Sequence, residues 1–424
     1  MPFSQKSTDA SEKAKGSGVD VASGSDEKHP HVPVLDKNTV DAAAVFVATA
    51  GAGVDGTIDP QAAARLRADY DPDFRRKIDW HLMPLMCNLM NGVAIIFLGF
   101  LGFGVLHIRT GGFMPWQWLT TITGLLTLIV TILFWFFFPD SVTTAWFLTP
   151  EERVAAVQRI RVNQAGVENK VWKREQFIET LTDPKTWVFA VFAAVTNLLN
   201  SLTNQRQLIV NQFGFNVINT TLIGCVDGLV EIAAIFIAVT VASVWPNGRI
   251  YAAVLCFVPA LIGTILVSTL AFHIKGGLLV SYWLSIFGFP PFTIFLSWVG
   301  MVTAGHTKRT TTNAIVLAAY GLGNAVGPFM WKAKYSPRNH VPWGIFSGVC
   351  VASALLLLLA RWMLAQENKR RDHEAQLKSS EKGDACDVVY IMGLDADGRK
   401  VETQVDRAFL DLTDIQNREY RYPL

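Results

Sequence analysis

Charge is scarce in this sequence. Only 17% of its 424 residues are Asp, Glu, Lys or Arg, against about 25% in an average soluble domain. The two signs nearly cancel, with 37 basic and 35 acidic residues, so the balance gives no reason to expect a nucleic-acid partner. Cysteine is also rare. Cys87, Cys225, Cys256 and Cys350 lie in apolar runs and Cys386 in a polar tail. No pair has metal-ligand spacing, which argues against a disulfide framework and leaves small core residues. There is no Walker loop, no His-Glu-x-x-His and no Gly-x-Ser-x-Gly, and His107, His273, His306 and His340 stand apart. These absences point to a protein that is not an enzyme, uses no cofactor or metal, and is not driven by ATP. The first 40 residues are rich in Ser, Asp, Lys and Gly and lack the apolar centre of a cleaved signal peptide. The first membrane span would have to serve as the signal.

What the sequence does have is long apolar runs. Hydrophobic residues make up 51% of the chain, including 27 Phe and 13 Trp, and the mean hydropathy is +0.30 even though both ends are polar. A helix needs about 20 apolar residues to cross a bilayer core, and lipid demands that backbone groups bond within the segment. Eight spans are expected, near 82–107, 118–138, 187–209, 218–244, 250–272, 277–300, 311–333 and 343–365. The fold class is therefore an all-α multi-pass membrane protein. Arg75, Arg76 and Lys77, the basic loop from Arg153 to Lys185, Arg249, Lys308 and Arg309, and Lys369 to Arg371 all fall on one side of an even number of spans. The positive-inside rule then places both termini in the cytosol. Only Lys332, Lys334 and Arg338 run against it. Gln61–Arg76 reads as an amphipathic helix on the membrane surface, and Thr149–Asn163 as a helix capped by Thr149 with Glu152.

Ionisable residues inside spans are costly and tend to be functional. Asp227 and Glu231, four residues apart, share a helix face and are the proton-coupling candidates. Asn197, Asn200 and Asn204 recur at helical spacing and are the substrate-pathway candidates, against a reading as interhelical hydrogen bonds. Arg206 follows them and reads more readily as snorkelling outward than as an anion fork. Asn324 lies in a small-residue run ending at Gly327-Pro328, where Pro328 would loosen a gating helix. Pro290-Pro291 should break the sixth span near its middle. Gly99, Gly102 and Gly104 suit close helix packing rather than phosphate binding.

Several longer blocks carry a resemblance. They are Pro115-Trp116-Gln117-Trp118, Pro139-Asp140-Ser141 with Phe147-Leu148-Thr149, Asp183-Pro184-Lys185-Thr186-Trp187, and Gly305-His306-Thr307-Lys308-Arg309 before Thr311-Thr312-Asn313-Ala314. Gly323-Asn324, Gly327-Pro328 and Glu367-Asn368-Lys369-Arg370-Arg371 complete them. Together they resemble the fungal allantoate permease family, the anion:cation symporter branch of the major facilitator superfamily. The resemblance implies two six-helix halves, alternating access, and proton-coupled import of a small organic anion such as allantoate, a vitamin or another carboxylate. Gly305, Lys308, Arg309 and Pro328 become gating or loop candidates. It also implies an incomplete major facilitator fold, with about eight transmembrane helices instead of twelve: Met90-Asn91-Gly92 runs almost directly from the first span's beginning into what resembles the fifth.

On this reading residues 1–60 are a disordered cytoplasmic tail and 61–138 the two-span remnant of the first half. Residues 139–186 form a cytoplasmic central loop, 187–366 the second six-helix bundle, and 367–424 a cytoplasmic, partly disordered tail. The expected partners are a small organic anion, a proton, the lipid bilayer, and another copy or another permease. The expected location is the plasma membrane. The rival expectation is a shortened, non-transporting paralogue or a mispredicted gene product.

Overall fold

The computed structural model describes residues 89–108, 112–138, 145–149, 172–245, 247–381, 388–394, 400–406 and 411–424. The surface helix expected at 61–76, the tail at 1–60 and most of the helix expected at 149–163 lie outside them. The membrane body is helical. Its elements are α1 (Leu89–Leu106), α2 (Pro115–Phe137), α3 (Arg174–Thr182), α4 (Pro184–Asn197), α5 (Ser201–Asn204), α6 (Arg206–Gln212), α7 (Val217–Val244) and α8 (Arg249–Thr269). They continue with α9 (Lys275–Ser285), α10 (Pro290–Val302), α11 (His306–Val326) and α12 (His340–Glu381). Beyond them lies a two-stranded antiparallel ladder, β1 (Val388–Leu394) with β2 (Lys400–Asp406).

Among the described residues, six segments are long and apolar enough to cross a membrane: 115–137, 184–204, 219–244, 249–269, 275–302 and 340–377. The first expected span contributes the shorter apolar helix Asn91–Leu106. The seventh is α11, whose first turns carry Lys308, Arg309 and a run of Thr residues.

Local chemistry accounts for the helix ends. Asp183 caps α4 by accepting from the Lys185 N–H at 3.2 Å, and Pro184 occupies the first turn, where no donor is needed. In α2, Gln117 accepts from the Met114 N–H at 2.8 Å. The hydroxyls of Thr120, Thr123, Thr127 and Thr131 each donate to the carbonyl four residues back at 2.8 Å. A lipid-facing helix can therefore carry hydroxyls without leaving them unbonded. No residue of α2 is buried. The expected break falls where the prolines stand: α9 ends at Ser285, a 3-10 turn covers Ile286–Gly288, and Pro290 opens α10. Pro328, expected to loosen a gating helix, sits in the 3-10 turn Gly327–Met330 that follows α11, at the end of that helix.

The core lies among α4, α8, α10 and α12. Phe295 meets Phe192 at 4.5 Å and Phe189 at 5.7 Å between ring centroids, and Phe189 meets Trp298 edge-on at 5.5 Å. Cys225, Cys256 and Cys350 are buried free thiols. α12 has 42 residues and so a length of about 63 Å, roughly twice a bilayer core. Its second half leaves the apolar body and meets the chain's end. The tail expected to be partly disordered after residue 372 is helical to Glu381, and residues 411–424 dock back on the bundle, with Asp411, Thr413, Asp414, Tyr420 and Tyr422 buried.

Candidate functional site

The acid pair comes first, because burying charge is costly without partners. Asp227 and Glu231 stand one turn apart on α7 and both are buried. Trp283 of α9 donates its indole N–H to Asp227 Oδ1 at 2.8 Å, and the Tyr282 hydroxyl reaches Oδ2 at 3.5 Å. Asn91 of α1 donates its amide to Glu231 Oε1 at 2.7 Å. The two acids therefore join three helices that are remote in sequence. α1 comes close enough for this because Gly92 and Gly228 face each other: a Cβ on Gly228 would lie 2.6 Å from the Gly92 carbonyl oxygen. Gly99 packs on Cys225 in the same seam, whereas Gly104 has open space around it.

Arg206 does not snorkel outward as expected. The helix breaks at Gln205, whose backbone leaves the helical region, and α6 starts at Arg206. This turn aims the guanidinium inward, with Nε 3.9 Å from Asp227 Oδ2 and Cζ 3.3 Å from where a Cβ on Gly224 would lie. Its Nη1 is buried with no hydrogen-bond partner. The arrangement leaves one donor of a planar fork unfilled beside two buried carboxylates. A carboxylate-bearing solute could supply the missing acceptor.

The amide stripe does not survive as one line, because α4 gives way to a 3-10 turn at Leu198–Asn200. Asn197 donates to its own helix at Ala193 O (2.7 Å). Asn200 donates to Asn324 Oδ1 at 2.6 Å, and Asn324 donates in turn to Tyr320 O at 3.0 Å. Asn204 is exposed. The structure thus brings together Asn200 and Asn324, and separately Asp227 and Glu231.

The loop candidates gather elsewhere. Gly305 has φ +89°, a conformation that favours glycine, and caps α11. Lys308, with a side chain 0% exposed, lies 2.7 Å from Glu179, 2.9 Å from Asp183 and 3.1 Å from Asp414. Lys185 pairs with Asp183 at 3.3 Å and also with Asp414. Burial pushes the Asp414 carboxyl up, but Lys185 and Lys308, with a hydrogen bond from Tyr422, hold it below the ordinary value of 3.8. Arg309 donates to the Gly300 carbonyl at 2.5 Å and ties α11 to α10. Among the described residues, no cluster of three or more His, Cys, Asp or Glu side chains is placed to hold a metal ion.

Sequence reasoning missed Asn91, Tyr282, Trp283 and the inward turn of Arg206. The amides Asn200, Asn204 and Gln205 ahead of Arg206 were the available signal for its turn. Nothing in the spacing announced the other three, which sit in ordinary apolar text.

Residues 86–328 match the family model of the Major Facilitator Superfamily. The chain is 30% identical over 338 residues to the high affinity cysteine transporter of Saccharomyces cerevisiae, covering 77% of this chain and 62% of that protein. It is 31% identical over 335 residues to a thiamine pathway transporter of the same yeast, covering 78% and 59%. It is 30% identical over 352 residues to the yeast allantoate permease, covering 79% and 60%. The chain thus spans about three fifths of the length of these relatives. No solved structure matches it.

Proposed function

Because the chain belongs to the Major Facilitator Superfamily, we propose that it works in secondary active transport, coupling a proton to the import of a small carboxylate-bearing solute. The carrying observation is the unfilled Arg206 Nη1 beside the Asp227–Glu231 pair. With both acids ionised, the three side chains sum to one negative charge. An entering carboxylate adds a second, and a proton on one of the acids removes it. Co-binding of anion and proton therefore keeps the buried charge constant, which is the electrostatic logic of symport. Two relatives are named for solutes that carry a carboxylate, cysteine and allantoate. Asn200 and Asn324 would line the pathway and α11 would act as a gating helix. The basic loops favour both termini in the cytosol, and the family resemblance favours the plasma membrane as the location.

The test is uptake of radiolabelled allantoate and cysteine by a permease-deficient yeast, with and without a proton gradient. Wild-type uptake should need the gradient. Arg206→Lys should raise KM, because a point charge cannot replace the fork. Glu231→Gln should leave uptake that ignores the gradient. A chain that reaches the cell surface and imports neither of these nor any other solute of the family's carboxylate and vitamin classes rejects transport.

A second reading rests on α2, a 23-residue apolar helix with no buried residue. It is a non-transporting chain that completes or blocks another permease by covering this helix. Co-purification of a full-length permease with a chain that is silent on its own would support it. Transcripts with roughly 100 further codons near Asn91, enough for about four spans, would instead mark the shortened form as a gene-model error.

A further inference from the structure

The last 14 residues make more specific contacts than a tail requires. Asp411 accepts from the His306 N–H at the start of α11 (2.6 Å) and pairs with Lys173 at 2.8 Å. Its carbonyl accepts from Gln176 of α3 at 3.0 Å. Thr413 donates to Glu179 of α3 at 3.0 Å. Asp414 bridges Lys185 of α4 and Lys308 of α11. The Tyr422 hydroxyl donates to Asp414 at 2.5 Å, and its backbone forms a reciprocal pair with the Asn368 amide of α12, 2.9 Å in each direction. Tyr420 bonds the Met301 carbonyl at the end of α10, and Trp298 of α10 donates to Pro423 O at 2.8 Å.

Arg371 completes the arrangement. Its guanidinium is buried, and it donates to the carbonyls of Asp414 and Tyr420 at 2.8 Å each and to Asn417 O at 3.3 Å. Its Nε pairs with Glu367 of α12 at 3.0 Å, but both terminal nitrogens point at the remote segment, and without it those buried donors would be left dry and unfilled. Lys185 and Lys308 pose the same problem. Asp183 and Glu179 alone do not enclose them; Asp414 lies against both.

We propose that α3, the starts of α4 and α11, the end of α10 and the outer half of α12 form a cationic receptor site, and that residues 411–424 are its ligand in cis, a clasp that holds these ends as one body. The clasp ties together three parts of the chain that are remote in sequence, the α3–α4 junction, the α10–α11 turn and α12, and none of its contacts involves Arg206 or Asp227. A rocking transporter needs each bundle to move rigidly, and the clasp gives that rigidity at the end of the bundle bearing Lys185 and Lys308. The inference does not depend on which solute is carried, or on transport at all.

Hydrogen exchange on the full chain in nanodiscs tests it. In the wild type, amides of 411–424 should exchange at least 100-fold more slowly than in the free peptide. In Asp411→Asn/Asp414→Asn, exchange should quicken in that segment, in α3 and at the α10–α11 turn, with the centre of α8 unchanged. A wild-type peptide of residues 411–424, added to this double variant, should bind saturably and restore protection to α3. Should the double variant lose protection everywhere, Tyr422→Phe takes its place: it removes one hydroxyl and should give the same pattern at smaller amplitude. Free-peptide exchange rates in the wild-type segment would overturn the proposal. So would a variant that frees the segment and leaves α3 and the turn untouched, or failure of the peptide to bind the vacated site.

Discussion

Gly321 and Gly323 look equivalent in the sequence, yet replacing each by alanine should move stability in opposite directions. A Cβ at Gly321 meets nothing within 4 Å. The substitution there should gain up to about 1 kcal/mol of helix propensity. At Gly323 the new methyl would fall inside the contact radius of the Ala194 carbonyl oxygen and 3.1 Å from Asn197 Cβ. The obstacle is the backbone of α4, which cannot rotate away, so α4 and α11 must part by roughly 1 Å. Overpacking of this kind costs about 1–3 kcal/mol. The parting also stretches the 2.6 Å Asn200–Asn324 bond on the same interface, adding about 0.6 kcal/mol. The two variants should therefore differ by roughly 2–4 kcal/mol. At about 2–4 °C per kcal/mol for a bundle of this size, their apparent melting points should differ by about 4–16 °C. Fluorescence-detected size exclusion of heated, detergent-solubilised fusions measures this directly. Equal melting points for Gly321→Ala and Gly323→Ala, or the order reversed, would refute the α4–α11 packing.

Lys308→Met removes the only ammonium that touches Glu179, Asp183 and Asp414 together among the described residues. Breaking a buried pair costs about 3–5 kcal/mol, so the same assay should show a loss well beyond that of Arg370→Met, whose side chain is 57% exposed. Asn324→Ala should lower the melting point by a few degrees through the lost Asn200 bond, roughly 0.6–1.7 kcal/mol, while Asn204→Ala, at an exposed position, should leave it unchanged. The folded Asp414 carboxyl lies below its ordinary 3.8, so its stabilisation is complete above that value and lost as pH falls through the lower, folded one. Protection of residues 411–424 should accordingly stay flat from about pH 8 to 5 and fail only below about pH 4; failure near pH 6 would contradict the charge assignment.

Much of the helical body could be read directly from the residues. Apolar runs of about 20 residues mark spans because lipid offers the backbone no partner, and α2, α7, α8 and α12 lie where those runs lie. Pro290 and the Asp183-Pro184 pair set their breaks and starts by chemistry confined to one turn. The candidate site was only half legible. Asp227 and Glu231 stood out because a carboxylate is conspicuous in apolar text. Asn91 and Trp283 did not, since neither is rare there and both act on residues more than 50 positions away.

The sequence by itself determined where helices run and which polar residues they carry into the apolar body, because propensity, capping and hydrophobic length act over a few turns. Only the tertiary structure decided what those polar residues meet. Arg206 turns toward Asp227, Asn200 toward Asn324, and Arg371 toward a segment 43 residues further along the chain. The reason is physical: a buried charge must find a partner of opposite sign or a cage of acceptors, and the sequence states that demand without stating which remote residue will satisfy it.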